Sequence, residues 1–176
     1  MRPARRPLPP LDGPTLERLA LRYVERFATT RLKLATYLNG KIRQRGFDGT
    51  PPDTIGIADR FAAAGYIDDR AFGEARARAM ARRGLGGCRV SGALRHAGVS
   101  DDDSAALAPA IADRATEAAL TFARKRRIGP FADQPSDRPT REKHIAAMIR
   151  GGHDFGLARR IATMAPGDDI TSIDDD

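Results

Sequence analysis

One short helix ending in glycine is written three times along this 176-residue chain, and no other feature constrains the fold as strongly. The first copy carries Leu38, Ile42, Gly46 and Phe47, and the second Val90, Leu94, Gly98 and Val99. The third, fainter copy carries His144, Met148, Gly152 and His153. The glycines stand 52 and 54 residues apart, within the period range of a helical repeat array. An apolar residue four positions before each glycine marks the same helical face three times. Small helical units stacked in this way make a long surface rather than an enclosed pocket. The expectation is an all-α chain of tandem three-helix bundles, three units in an array. A basic arm without fixed structure covers 1–14, the repeats cover 15–65, 66–109 and 110–166 with a loop near 128–139, and a disordered acidic tail covers 167–176.

Charge is distributed unevenly along this order. Lys and Arg number 30 against 23 Asp and Glu, net +7. Residues 1–50 alone carry net +7, whereas 151–176 carry net −4. A basic front favours a polyanionic partner. Cys88 is the single cysteine, so no internal disulfide forms, which fits a reducing compartment. Met1–Pro10 lacks the apolar core of a signal peptide, and no stretch approaches the roughly 20 apolar residues of a membrane span. The expected location is cytoplasmic.

The helices read as follows. Thr15 caps a first helix with Leu16, Leu19, Ala20, Tyr23, Val24 and Phe27 on its apolar stripe. A second runs from about Thr30 to Arg45, weakened by Asn39-Gly40 in its middle. Pro51-Pro52 opens a third, which Gly65 stops. Asp68 or Asp69 caps the next helix, with Phe72, Ala75 and Ala79 as a narrow seam. After the break Arg82-Arg83-Gly84-Leu85-Gly86-Gly87, a helix continues to about His96. Ser100 with Asp103 forms a capping box for a short helix ending near Pro109. Ile111, Ala115, Ala118, Ala119 and Phe122 share the next stripe. Thr140 and Asp154 start the last two helices.

No residue set announces a reaction centre, a metal site or a cofactor. His144 and His153 stand nine apart across a helix break with no cysteine nearby. Cys88 and His96 lack the support a catalytic dyad needs. The Gly84, Gly86, Gly87 cluster follows a helix and lacks the lysine-serine pair of a phosphate loop. The basic residues are more informative. Arg31, Lys33, Lys41, Arg43 and Arg45 decorate the first unit, Arg82, Arg83, Arg89 and Arg95 the second, and Arg124, Lys125, Arg126 and Arg127 the third. Cations beside each repeat can follow a phosphate backbone and gain affinity by counterion release. Aromatic residues fall mostly at core positions, so base stacking is not evident, and nothing visible reads a base sequence.

The run Gly65-Tyr66-Ile67-Asp68-Asp69-Arg70-Ala71-Phe72, then Arg82-Arg83-Gly84-Leu85-Gly86 and Arg89-Val90 with Leu94 and Gly98, resembles the RecX family of bacterial regulators of the RecA recombinase. Ala20-Leu21-Arg22-Tyr23-Val24, with Arg31, Leu34, Leu38, Arg45, Gly46 and Phe47, is similar to the family's opening. The likeness covers about residues 15–165. Leu85 stands where the family usually has an aromatic residue, and Gly87, Cys88, Ser91 and Gly92 occupy a helix usually richer in basic residues. The resemblance implies an elongated, curved monomer of helical repeats. It also implies a partner, the filament that RecA builds on single-stranded DNA with ATP. A non-enzymatic protein of this kind lies in the filament groove, touches protein and DNA, and restrains ATP hydrolysis, strand exchange and co-protease activity in the SOS response. Duplex DNA is a further candidate ligand. The rival expectation is a general helical nucleic-acid-binding protein with no recombinase partner.

Overall fold

The computed structural model describes residues 9–174. Eight residues of the expected basic arm, 1–8, lie outside it. The described chain is all-α, with α1 Gly13–Arg26, α2 Arg31–Arg45, α3 Thr54–Ala63, α4 Asp69–Arg82, α5 Gly87–Ala97, α6 Asp101–Ala112, α7 Ala115–Arg126, α8 Arg138–Arg150 and α9 Phe155–Thr163. It divides into two compact units, the first ending at Phe72 and the second beginning at Gly73. Residues 73–109 of the expected second repeat therefore share unit 2 with the expected third, while 66–72 fall in unit 1.

Unit 1 closes over large side chains. Leu11, Leu16, Leu34 and Leu38 are fully buried and Ile57 nearly so, each contributing roughly 1.5–3 kcal/mol of burial. Leu11 overturns part of the expected arm. Its N–H donates to the Gly46 carbonyl at 3.0 Å, and its carbonyl accepts from Asp48 N–H at 2.8 Å, so structure begins before residue 14. The cap of α1 is likewise Asp12 rather than Thr15. Its Oδ1 accepts the Thr15 N–H at 2.8 Å, and the hydrogen bonds from Thr15 hold this carboxyl below the usual range. Pro14 then occupies the first turn, where its missing N–H has no partner to lose. Asn39-Gly40 does not interrupt α2, because packing of Leu34 and Leu38 outweighs about 1 kcal/mol of propensity. The start of α4 is capped by Asp68, whose Oδ1 accepts Ala71 N–H at 2.8 Å. Asp69 instead turns inward, accepting from Arg31 N–H at 3.0 Å and Arg31 Nε at 2.9 Å.

Unit 2 buries Val90, Leu94, Ile128, Met148 and Ile161 as well, with small residues set between them. The seam of α4 is one residue off the expected register: Gly73 and Ala77 are buried, whereas Ala75 is exposed. A Cβ on Gly73 would meet Leu107 Cδ1 at 2.8 Å, so the closest approach of α4 to α6 selects the residue without one. Helix α6 runs through Pro109 to Ala112. Both Pro109 and Ala105 are exposed, so water can take the carbonyl that proline leaves unpaired. Ile111 accordingly belongs to α6, and the buried stripe of α7 is Ala118, Ala119 and Ala123.

The expected loop near 128–139 is partly core. Ile128, Gly129 and Pro130 are buried, a 3₁₀ turn covers Gly129–Phe131, and Asp137 rather than Thr140 caps α8 by accepting Thr140 N–H at 3.0 Å. The acidic tail is corrected too. Its 3₁₀ turn Thr171–Asp174 places Ile173 in the unit 2 core, with Ile170 against it. Residues three apart share a face in that geometry, so two isoleucines anchor a segment whose charge alone predicts solvent.

The glycine-rich break is a backbone crossing. Gly86 N–H donates to the Gly151 carbonyl at 3.0 Å, and Cys88 N–H to the Gly152 carbonyl at 3.1 Å. A Cβ on Gly86 would overlap the Gly152 carbonyl, and one on Gly152 would lie 2.6 Å from Arg89 N. Gly152 also has φ +91°, a left-handed conformation that side chains resist.

Candidate nucleic-acid interface

That crossing brings three helix ends together. Arg89 stands in the first turn of α5, Arg126 in the last turn of α7 and Arg150 in the last turn of α8. With Leu85, Phe122, Ala147 and Gly151 they line an open groove of about 300 Å³. Arg89 Nε donates to the Arg150 carbonyl at 2.9 Å, and the Arg126 guanidinium lies 4.9 Å from the Phe122 ring centroid. The cations of α7 and α8 suit the negative ends of their helices. No carboxylate is among the lining residues. Three guanidiniums around one groove repel one another, and an anion between them converts that repulsion into attraction. Phosphate fits best, since guanidinium donors match its oxygens in pairs.

A buried imidazole supports the groove from below. His153 is 5% exposed, and its Nε2–H donates to the Gly84 carbonyl at 3.1 Å. Its ring meets Phe122 edge-on, centroids 5.1 Å apart. Desolvation pushes its pKa down, partly offset by the Gly84 bond. His144, the other histidine weighed for a metal, has a buried Nδ1 without a hydrogen-bond partner. Among the described residues no group of three His, Cys, Asp or Glu side chains is placed to hold a metal. Nor is any helix there long and apolar enough to cross a membrane.

The thirteen basic residues expected to bind fall into different situations. Arg89 and Arg126 meet in the groove. Lys125 Nζ donates to the Arg83 carbonyl at 3.0 Å, bringing the ends of α4 and α7 together, and Arg82 and Arg83 are exposed there. Arg124 covers Phe131 at 4.6 Å. Arg127, with φ +54°, pairs with Asp133 at 2.9 Å. Arg95 is exposed on α5, away from the groove lining.

In unit 1, Arg31 is taken up by Asp69 at 2.9 Å and Asp59 at 3.4 Å. The Asp69 hydrogen bond and charge push its pKa further up. Lys33 lies 4.4 Å from the Phe72 ring centroid, and Lys41 lies 5.3 Å from that of Tyr37. Arg45 Nη2 donates to the Pro9 carbonyl at 2.8 Å, and Arg43 is exposed. Arg150 escaped the sequence reading. The available signal was a cation in the last turn of the repeated helix, one residue further from its glycine than Arg45 is from Gly46.

The chain resembles known proteins over most of its length. It is 28% identical over 163 residues to the regulatory protein RecX of Myxococcus xanthus strain DK1622, covering 86% of each chain. Against the regulatory protein RecX of Mycobacterium sp. strain JLS it is 30% identical over 159 residues, covering 88% of this chain and 86% of that one. The crystal structure of a regulatory protein RecX superposes with a TM-score of 0.64 at 21% identity, over 84% of this chain and 72% of that one. At that identity the superposition supports the helical fold. No protein-family model matches the chain.

Proposed function

The chain belongs to the RecX family, and from that premise we propose that it is a non-enzymatic cytoplasmic regulator of the RecA recombinase. It binds as a monomer to the filament on single-stranded DNA and lowers ATP hydrolysis, strand exchange and the co-protease activity of the SOS response. The observation that supports this most is the convergence of Arg89, Arg126 and Arg150 on one groove without a carboxylate in its lining. Guanidiniums so placed neutralise phosphates without reading bases. Modest contacts from both units reinforce one another on an extended partner.

The test is to add the protein to preformed RecA filaments at stoichiometric amounts. ATP hydrolysis and strand exchange should slow, and the triple variant Arg89→Ala, Arg126→Ala, Arg150→Ala should inhibit at least tenfold less. The triple variant Lys41→Ala, Arg43→Ala, Arg45→Ala examines the basic end of α2 in the same assay. Unchanged filament activity at stoichiometric protein refutes the proposal. The lining's lack of base-reading amides also favours a second reading, a general nucleic-acid binder with no recombinase partner. Tighter binding to naked than to RecA-coated single strand would support that rival.

A further inference from the structure

In unit 1 three rings form a ladder, and the helix pattern alone assigns two of them, Tyr23 and Phe27, to the core. Tyr37 of α2 stacks on Tyr23 of α1, with centroids 4.3 Å apart and planes 20° apart. Tyr23 in turn meets Phe27 at 5.3 Å and 50°. The outer rung is in solvent: Phe27 is 52% exposed. It sits at the C-cap of α1 with extended backbone, held there by its N–H to the Tyr23 carbonyl. A cation stands at each end of the ladder. Lys41 Nζ is 5.3 Å from the Tyr37 centroid, and the Arg26 guanidinium is 5.7 Å from that of Phe27.

Leaving a phenylalanine half in water forgoes much of the gain that burying its ring would bring. A ring backed by Tyr23, itself stacked on Tyr37, in a ladder with a cation at each end has the make-up of a platform for unstacked bases. The rings offer π-faces that any base accepts, and the cations meet the adjoining phosphates. A purely apolar protein partner has no use for that charge.

We propose that the Phe27–Tyr23–Tyr37 ladder is a base-stacking platform for single-stranded DNA. The proposal rests on the reading of this chain as a protein that works on such strands, and it assigns unit 1 the bases as unit 2 is assigned the phosphates. Phe27 is the contact rung, Tyr23 backs its ring and Tyr37 holds Tyr23, and Arg26 and Lys41 take the backbone at the two ends.

The experiment uses the full chain, without RecA, and three labelled probes of equal charge: a 20-nucleotide oligothymidine, its abasic counterpart and a duplex of matched phosphate number. Wild type should bind oligothymidine about tenfold more tightly than the abasic strand. Phe27→Ala should lose that preference while keeping its affinity for the abasic strand and the duplex. Phe27→Trp should keep the preference, whereas Phe27→Leu, which is apolar but has no π-face, should not. Because Phe27 is exposed, these changes leave the core of unit 1 intact, which the tyrosine emission of the free variants checks. Equal wild-type affinity for thymidine and abasic strands overturns the proposal, as does a Phe27→Ala variant that retains the preference. Failure of the filament assay alone leaves the platform standing, since no RecA enters this measurement.

Discussion

Unit 1 separates its helices with leucines and rings: Leu16, Leu34, Leu38 and Ile57 fill its centre, with Tyr23, Tyr37, Phe47 and Phe61 packed around them. Unit 2 sets Ala119, Ala123, Ala158 and Ala162 among Ile128, Met148, Leu157 and Ile161, and passes one backbone directly over another at Gly86 and Gly152. The difference reaches the surface. Large residues in unit 1 overflow the core and leave Phe27 and Tyr66 more than half exposed. Small residues in unit 2 let three helix ends converge, and the side chains that emerge there are arginines. Phe155 of unit 2 is just as exposed, so the contrast lies in what is gathered: a ladder of three rings in unit 1 and a groove of three guanidiniums in unit 2.

A convenient asymmetry makes the comparison measurable. All three tyrosines, Tyr23, Tyr37 and Tyr66, lie in unit 1, and the chain has no tryptophan. Tyrosine emission therefore follows unit 1, while far-ultraviolet circular dichroism follows both units. The hardest blow to unit 2 is Gly86→Ala, because the new methyl overlaps the Gly152 backbone, which cannot rotate away. It should cost at least about 3 kcal/mol. Urea titration should show the dichroism transition moving to lower urea with the tyrosine transition unmoved. If both move together, the units do not unfold separately and the contrast between them fails.

The corresponding blow to unit 1 is Asp69→Ala. It removes two charge-assisted hydrogen bonds and leaves the first N–H of α2 without its partner, at a cost of about 2 kcal/mol. Here the tyrosine transition should move. A smaller effect comes from His153. Its folded pKa lies below the ordinary imidazole value of about 6.5, so the unfolded chain binds the proton more readily. Stability is full above that value and falls as pH drops below it toward the folded pKa. The dichroism midpoint should decline on acidification through this window, and His153→Gln should flatten the decline. Smallest is Arg127→Gly. It relieves a positive φ and gives up an ion pair whose partners are both about three-quarters exposed. A net gain of about 0.5 kcal/mol in the thermal melt is expected.

Helix existence was legible throughout, because the apolar spacing of Leu34 and Leu38, or of Leu157 and Ile161, repeats at the helical period. Ends and faces were harder. Phe27 continues the i, i+4 pattern of α1 but falls after its last turn, where the backbone has already left helical geometry, so the periodic rule assigned it to the wrong environment. Leu11, Ile170 and Ile173 are single apolar residues in proline-rich or acidic surroundings, and only tertiary packing reveals that the core needs them. The glycine cluster was visible as a break, but its purpose depends on Gly151-Gly152, some 65 positions further along the chain. Arg150 became part of the groove through that same long-range contact, which no local pattern encodes.

The bond from Arg89 Nε to the Arg150 carbonyl has a thermodynamic consequence. A long cationic side chain ordinarily surrenders much rotational freedom when it captures a ligand. This one has surrendered part of it already, during folding, so its remaining donors meet an incoming anion from a fixed direction at a reduced entropic cost. Longer residence of whatever anion the groove takes, rather than faster capture, is where that saving should be felt.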